Sequence, residues 1–198
     1  MFSLKGENEM NINKQSEPIV FLEGEKIILR PLNKKTDIDN CLRWINNPEV
    51  RQYILNTFPI NYITEEAWFD NQTNNREQMN LAIVKKETKE HIGNISLCKI
   101  NWVDRSGTTG MLIGSPDNRG KGYGEEAKKL LLDYAFNRLG LNRITAEALE
   151  NNKVSIKCLE KCGYKKEGTM RESSFRNGKF INNVLMSILK KDWDKLNK

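Results

Sequence analysis

Histidine is almost missing from this chain: there is one, His91, in 198 residues. With four cysteines (Cys41, Cys98, Cys158 and Cys162) and no second CxxC-like pair, the usual donor set for zinc is lacking, and no metal is expected. The cysteines also lack the spacing of a disulfide framework and read as reduced thiols of a cytoplasmic protein. No apolar run approaches the roughly 18 residues of a membrane span. The opening Met1-Phe2-Ser3-Leu4-Lys5-Gly6-Glu7 has no apolar core and no signal-peptide layout, so neither export nor membrane insertion is expected. Repeats, low-complexity tracts and an inter-domain linker are absent as well.

What is present suits one well-filled domain: 38% hydrophobic and 29% charged residues in a chain of this length. The net charge of +6 calls for an anionic partner. Basic residues are spread along the chain with acids between them, and no Lys/Arg stripe interleaves with aromatics, so nucleic acid is not expected. A small polyphosphate accounts for the excess and demands less.

Residues 1–18 are polar and read as a flexible arm, leaving residues 19–198 as the single domain. Residues 26–32 form a first strand closed by Pro31. Asp37 caps a helix running to Asn46, with Cys41, Leu42 and Ile45 on one face. Thr64-Glu65-Glu66 opens a second helix reaching about Asn74. Residues 79–84 and 92–100 are strands, and a turn over 103–107 leads to a return strand over 108–113. The clearest helix spans 125–138, where Ala127, Leu130, Leu131, Tyr134, Ala135 and Leu139 make one apolar stripe, stopped by Gly140. A strand over 144–149, a helix from Asn152 to Gly163, and a hairpin (165–175 and 180–189) turned at Asn177-Gly178 complete the chain. The order is β-α-α-β-β-β-α-β-α-β-β, an α+β fold with a mixed, mostly antiparallel sheet and helices on both faces.

One stretch carries chemistry: Asn118-Arg119-Gly120-Lys121-Gly122-Tyr123-Gly124, between the apolar run Met111-Leu112-Ile113 and the clearest helix. Glycines let backbone N–H groups converge on a ligand, and the helix start adds the positive end of its dipole. This is a phosphate cradle. It is not a GxxxxGK[ST] loop, since Gly122 follows Lys121 and Ser115 stands where the first glycine belongs. Nor is it a dinucleotide GxGxxG, because Gly124 arrives one residue early. The plain alternative is a turn that merely joins strand to helix.

Arg119-x-x-Gly122-x-Gly124 resembles the acetyl-coenzyme A pyrophosphate loop of the GNAT acetyltransferase superfamily. Asn152-Lys153-Val154-Ser155 followed by Leu159-Glu160-Lys161-Cys162-Gly163-Tyr164 is similar to that family's second signature. Leu29-Arg30-Pro31-Leu32, the segment Arg43 to Val50, and the Met170-Arg171-Glu172…Asn177-Gly178-Lys179-Phe180 hairpin resemble its RimJ/RimL-type branch, which acetylates protein N-termini and small amines. The likeness covers about residues 22–193.

It implies acetyl-coenzyme A as cosubstrate, a cytoplasmic enzyme, and an amine acceptor: a protein N-terminus or a small amine such as a polyamine, an amino sugar or an antibiotic. It also implies a homodimer, as in many RimJ/RimL-like relatives. Backbone N–H groups of Gly120, Lys121, Gly122, Tyr123 and Gly124 would hold the pyrophosphate, with charge from Arg119 and Lys121. Leu112, Ile113 and Gly114 would hydrogen-bond the pantetheine in a gap between two splayed parallel strands. Asn152 would bond the pantetheine or pyrophosphate, or serve only as an N-cap.

The family's usual general acid is a tyrosine seven residues after that asparagine. Here Leu159 stands there and cannot donate a proton, which weakens a polyamine acceptor. The resemblance leaves Ser155 to polarise or protonate the sulfur. Glu172 is the candidate base, because Ser174 occupies the position of the branch's glutamate and strand residues two apart share a face. The plain alternatives are a helix-packing serine and a surface carboxylate. His91 reads as a surface residue at a strand start. Trp44, Tyr53, Phe58 and Trp68 read as core or as acceptor-pocket lining. A coenzyme A-binding sensor without turnover is the second reading.

Overall fold

The computed structural model describes residues 19–54, 58–72 and 75–197. The arm expected over residues 1–18 and the expected helix end at Asn74 lie outside the described residues. In chain order the elements are β1 (Leu22–Glu23), β2 (Ile27–Pro31), α1 (Lys34–Asn46), α2 (Pro48–Arg51), α3 (Tyr62–Asp70), β3 (Met79–Lys85), β4 (His91–Asn101) and β5 (Ser106–Ile113). There follow α4 (Tyr123–Asn137), β6 (Arg143–Leu149), α5 (Lys153–Lys161), β7 (Lys165–Arg176), β8 (Lys179–Leu189) and α6 (Lys190–Leu196).

The strands make one sheet in the order β1-β2-β3-β4-β5-β6-β8-β7. Alternation buries it on both faces. Ile27, Leu29, Leu81 and Ile83 enter the main core. Their neighbours Ile28, Ala82 and Val84 form a second cluster on the opposite face, with Leu32. The main core is closed by α4, whose Ala127, Leu131, Leu132, Ala135 and Phe136 are buried. Across the sheet, Ile38 and Cys41 of α1 pack against Phe69 of α3, and Leu32 joins this cluster too.

Every strand pair is antiparallel except β5–β6. That parallel register covers only Ser106–Thr108 against Arg143–Thr145. The last pair is tied by a 2.9 Å bond between the hydroxyls of Thr108 and Thr145. Beyond it the two strands continue, to Ile113 and Leu149, without a register between them. The gap opens toward the C-terminal ends of both strands, where the glycine-rich loop and the start of α5 lie.

Several expectations are corrected by the structure. The first helix begins earlier: Asn33 is its N-cap, accepting from the Lys35 N–H at 2.9 Å. Asp37 is not a cap but a buried carboxylate in a bidentate pair with Arg30 at 2.6 and 2.7 Å. His91 is not on the surface; it is buried against the Trp44 ring, with centroids 4.8 Å apart, and its Nε2 lies 2.8 Å from Asn94 Oδ1. A run of charged neighbours hides this burial from a reading of the sequence. The short β1 and α2 and the terminal α6 were not anticipated. In α6 only Trp193 and Leu196 are apolar, and the helix is fixed by Trp193 packing near Phe136, with centroids 6.2 Å apart.

Candidate functional site

The gap between β5 and β6 opens into a cleft of about 810 Å³. Its strand wall is Met111, Leu112 and Ile113, its loop wall Arg119, Gly120, Gly122, Tyr123 and Gly124, and its helix wall Asn152 and one side of α5 along its whole length. Gly122 serves as the N-cap of α4 at φ +88°, a left-handed conformation in which glycine is at ease and a Cβ is strained. No side chain caps α4. The N–H groups of its first turn therefore keep their hydrogen-bonding capacity beside the cleft, with the positive end of the helix dipole behind them.

The loop is pinned to the end of β5 by Arg119, whose Nε donates to the Ile113 carbonyl at 3.4 Å and Nη2 to that of Gly114 at 3.3 Å. Gly114 is glycine for a different reason. A Cβ there would stand 2.0–2.2 Å from the Trp44 indole, so this ring fixes α1 against the strand end.

On the facing helix, Asn152 caps α5 by accepting from the Ser155 N–H at 3.1 Å. Its side-chain amide nitrogen makes no hydrogen bond among the described residues, so the cap leaves donors for a ligand. Lys153, Lys157 and Lys161 follow at four-residue spacing and line the same side of the cleft. The only carboxylate among the described lining residues is Glu125. A 2.7 Å hydrogen bond from Lys129 holds it below the usual carboxylate range, with Lys161 adding a 3.5 Å contact. With Arg119, four cations face one neutralised anion, a field suited to several phosphates.

Most of the anticipated residues meet here. Leu112, Ile113, Arg119, Gly120, Gly122, Tyr123, Gly124, Asn152 and Ser155 all line the cleft. Lys121 is exposed and does not line it, and Gly114 lies buried just behind, contributing the carbonyl that holds Arg119. Glu172 is elsewhere. The β7–β8 register shifts between Met170 and Ser174, Glu172 takes φ +52°, and its N–H donates to Asn182 Oδ1 at 2.8 Å. The bulge breaks the two-residue alternation that placed Glu172 and Ser174 on one face. Ser174 is buried and donates to Asn183 Oδ1 at 2.9 Å, while Glu172 is exposed and lines neither cavity. The Lys153/Lys157/Lys161 stripe and Cys158 were missed. The stripe is a readable i, i+4, i+8 signal, whereas Cys158 enters only through the packing of α5 on α4.

A second cavity of about 440 Å³ lies between α2 and the hairpin turn, lined by Glu49, Arg51, Gln52, Phe175 and Arg176 among others. The short helix α2 separates the two spaces: its Val50 and the following Tyr53 face the large cleft.

A mostly antiparallel sheet whose one parallel pair splays beside a glycine-rich helix start is the architecture of an acyl-coenzyme A N-acyltransferase. The acetyltransferase (GNAT) domain model matches residues 26–165. The chain therefore belongs to the GNAT acetyltransferase family and is an N-acetyltransferase with acetyl-coenzyme A as its donor. It is 31% identical to an uncharacterized N-acetyltransferase p20 of Bacillus licheniformis, over 87% of this chain and 97% of that protein. It is 34% identical to the putative ribosomal N-acetyltransferase YdaF of Bacillus subtilis, over 52% of this chain and 55% of that one. Its fold matches a spermidine N-acetyltransferase from Vibrio cholerae, solved in complex with CoA and spermine, with TM-score 0.79, 24% identity, and 85% and 98% of the two chains covered.

Proposed function

We propose that the enzyme acetylates the α-amino group of a peptide or protein, in the manner of the RimJ/RimL-type branch, in the cytoplasm. The supporting observation is the lack of a strong base in the cleft: its one described carboxylate, Glu125, is held by Lys129 and Lys161. Direct attack on a thioester needs a neutral nitrogen. A polyamine nitrogen has the pKa of an alkylammonium, near 10, and must be stripped of its proton, whereas a peptide α-amino group with pKa of about 7.7–8.0 is partly neutral already. Leu159, buried at 3% exposure, supplies no proton relay either.

In this reading Arg119, the Gly120–Gly124 amides and the α5 lysines hold the phosphates. Asn152 bonds the pantetheine, and Ser155 is the group nearest the thioester sulfur. The second cavity, across α2 from the cleft and lined by Arg51, Arg176 and Glu49, holds the part of the acceptor beyond its amine, which enters the cleft past Val50 and Tyr53; two guanidinium groups there discourage a polycation.

The test is thiol release from acetyl-coenzyme A with a peptide panel, α-blocked controls, spermidine and an amino sugar. The free peptides should lead in kcat/KM, with a pH profile that tracks each peptide's own α-amino group. Preference for spermidine would overturn the reading. So would tight acetyl-coenzyme A binding with no thiol release on any acceptor, which would indicate a coenzyme A sensor.

A further inference from the structure

On the face of the sheet away from α4, the gap between β5 and β6 opens beside a carboxylate that has no role so far. Ile144, Ala146 and Ala148 of β6 point into the main core, so Arg143, Thr145 and Glu147 stand on the opposite face. On β5, Thr109 meets Lys128 of α4, and Met111 and Ile113 pack on the main core. Thr108, Gly110 and Leu112 therefore share the second face with Glu147. Thr108 and Thr145 are the last registered pair, and their hydroxyl bond closes the fork on this face. Two residues further along each strand come Gly110 and Glu147, the first positions on either side of the open gap.

Glu147 is exposed and enters no ion pair among the described residues. Arg143, on the same strand and face, is taken by Glu167 at 3.2 Å. Glu167 also accepts from the Ser187 hydroxyl. Across β8 the partner of Glu147 is the apolar Leu185. Across the gap Gly110 offers no side chain; a Cβ there would stand 2.9 Å from the Ser96 hydroxyl, which donates to the Gly110 carbonyl at 3.4 Å. Leu159 of α5 and Trp193 of α6 lie in the main core, while α1 and α3 cover the β2–β4 side of this face. Among the described residues, the stretch around Glu147 thus keeps an unpaired carboxylate beside an open gap.

A pantetheine held along Leu112, Ile113 and Gly114 carries its thioester toward the closed end of the fork, and Gly110 lies two residues, or about 7 Å, below Leu112. We propose that Glu147 is a catalytic carboxylate on the acceptor's side of the gap. A neutral amine that has passed Val50 and Tyr53 attacks the thioester carbonyl carbon, and its nitrogen turns positive as the N–C bond forms. The Glu147 carboxylate faces that charge and takes one N–H proton. The C–S bond breaks, and coenzyme A leaves as a thiolate that takes a proton from water. The proton of such an adduct is acidic enough for a carboxylate to remove, whereas that of a free alkylammonium, with pKa near 10, is not. Glu147 therefore does not supply the neutral nitrogen with which the reaction starts. The assignment rests on the function proposed above.

Thiol release by the full chain, with the free peptide it uses best, tests this. Glu147→Gln should lower kcat about a hundredfold, the low end for loss of a general base. Acetyl-coenzyme A affinity by calorimetry and the circular dichroism spectrum should not change. Because the site is exposed, Glu147→Ala should regain part of the lost rate in formate, with saturation, and Glu147→Gln, whose amide fills the space, should not. Wild-type kcat in Glu147→Gln, or a loss in Glu147→Ala that formate does not restore, overturns the proposal. A wild type that prefers spermidine overturns the peptide reading instead, and formate rescue measured with spermidine then decides the role of Glu147. Absence of thiol release with every amine overturns both.

Discussion

Replacing Lys128 by methionine should stabilise this protein, although it removes a charge and a hydrogen bond. Burial lowers the ammonium from its ordinary 10.5 to about 8. At ~1.4 kcal/mol per tenfold change, holding the charge inside costs about 3 kcal/mol below pH 8. The Thr109 bond returns ~1 kcal/mol of that, and Thr109 keeps Tyr164 as a partner when the lysine is gone. Methionine fills similar volume without the charge. The net gain at pH 7 is about 2 kcal/mol, which corresponds to a rise in Tm of about 4–8 °C for a domain of this size. The pH dependence fixes the cause. Between about pH 8 and 10.5 the unfolded chain holds the lysine proton and the folded chain does not, so wild-type stability gains with rising pH in that window. The mutant has no such gain, so its advantage should vanish near pH 9.5 and reverse by about 1 kcal/mol at pH 10.5. Urea titrations at pH 7, 8.5 and 10 measure this. A mutant destabilised at pH 7, or an advantage that does not change with pH, would refute the reasoning.

Asp37→Asn leaves the Arg30 guanidinium, 13% exposed, without its bidentate partner and should cost about 3–5 kcal/mol in urea denaturation. Burial raises the Asp37 carboxyl, but the Arg30 pair and the Asn33 N–H outweigh it and hold the group below its ordinary 3.8, so its contribution is present above that pH and lost as pH falls through the folded value; the variant's stability should fall less steeply on acidification. Gly122→Val meets no atoms within 4 Å but must adopt φ +88°, so it should cost ~1–2 kcal/mol of stability and at least tenfold in acetyl-coenzyme A affinity by calorimetry, with an unchanged circular dichroism spectrum. Asn152→Ala removes the α5 cap, for ~1 kcal/mol of stability, and should also raise KM for acetyl-coenzyme A; an unchanged KM would leave the residue as a cap alone.

The residues gathered in the candidate donor cleft were legible because local rules write them. A left-handed glycine before a helix, an asparagine three residues ahead of a serine, and an apolar run before the loop each specify their own backbone over a few residues, and the cleft simply collects them. The strands were equally readable, since alternation at Ile27–Ile28–Leu29 and at Leu81–Val84 buries a sheet on two faces. What failed depended on distant partners. His91 looks polar and terminal, yet the Trp44 ring and Asn94 enclose it. Asp37 has the sequence position of a helix cap, but Arg30, seven residues earlier on a strand, claims it. Glu172 was placed by two-residue alternation, and a bulge set by pairing with β8 turned it outward. α6 has too few apolar residues to announce itself and exists because Trp193 finds Phe136.

The Lys128 cost also bears on how the cleft works. Stability alone gives no reason for an ammonium under the fork of β5 and β6, because the Thr109–Tyr164 bond closes that polar site without it. The same charge acts on whatever anion or polarised group approaches the fork from above. In water such an effect would be screened; in a site this buried it persists at ordinary ionic strength. A lysine that weakens the fold beneath the cleft fits the general rule that sites which depart from the most stable packing are the ones with chemistry to do. The stability gain of Lys128→Met should therefore come with a fall in kcat for acetyl transfer, and a gain in stability with unchanged kcat would show that the charge has no part in the cleft's chemistry.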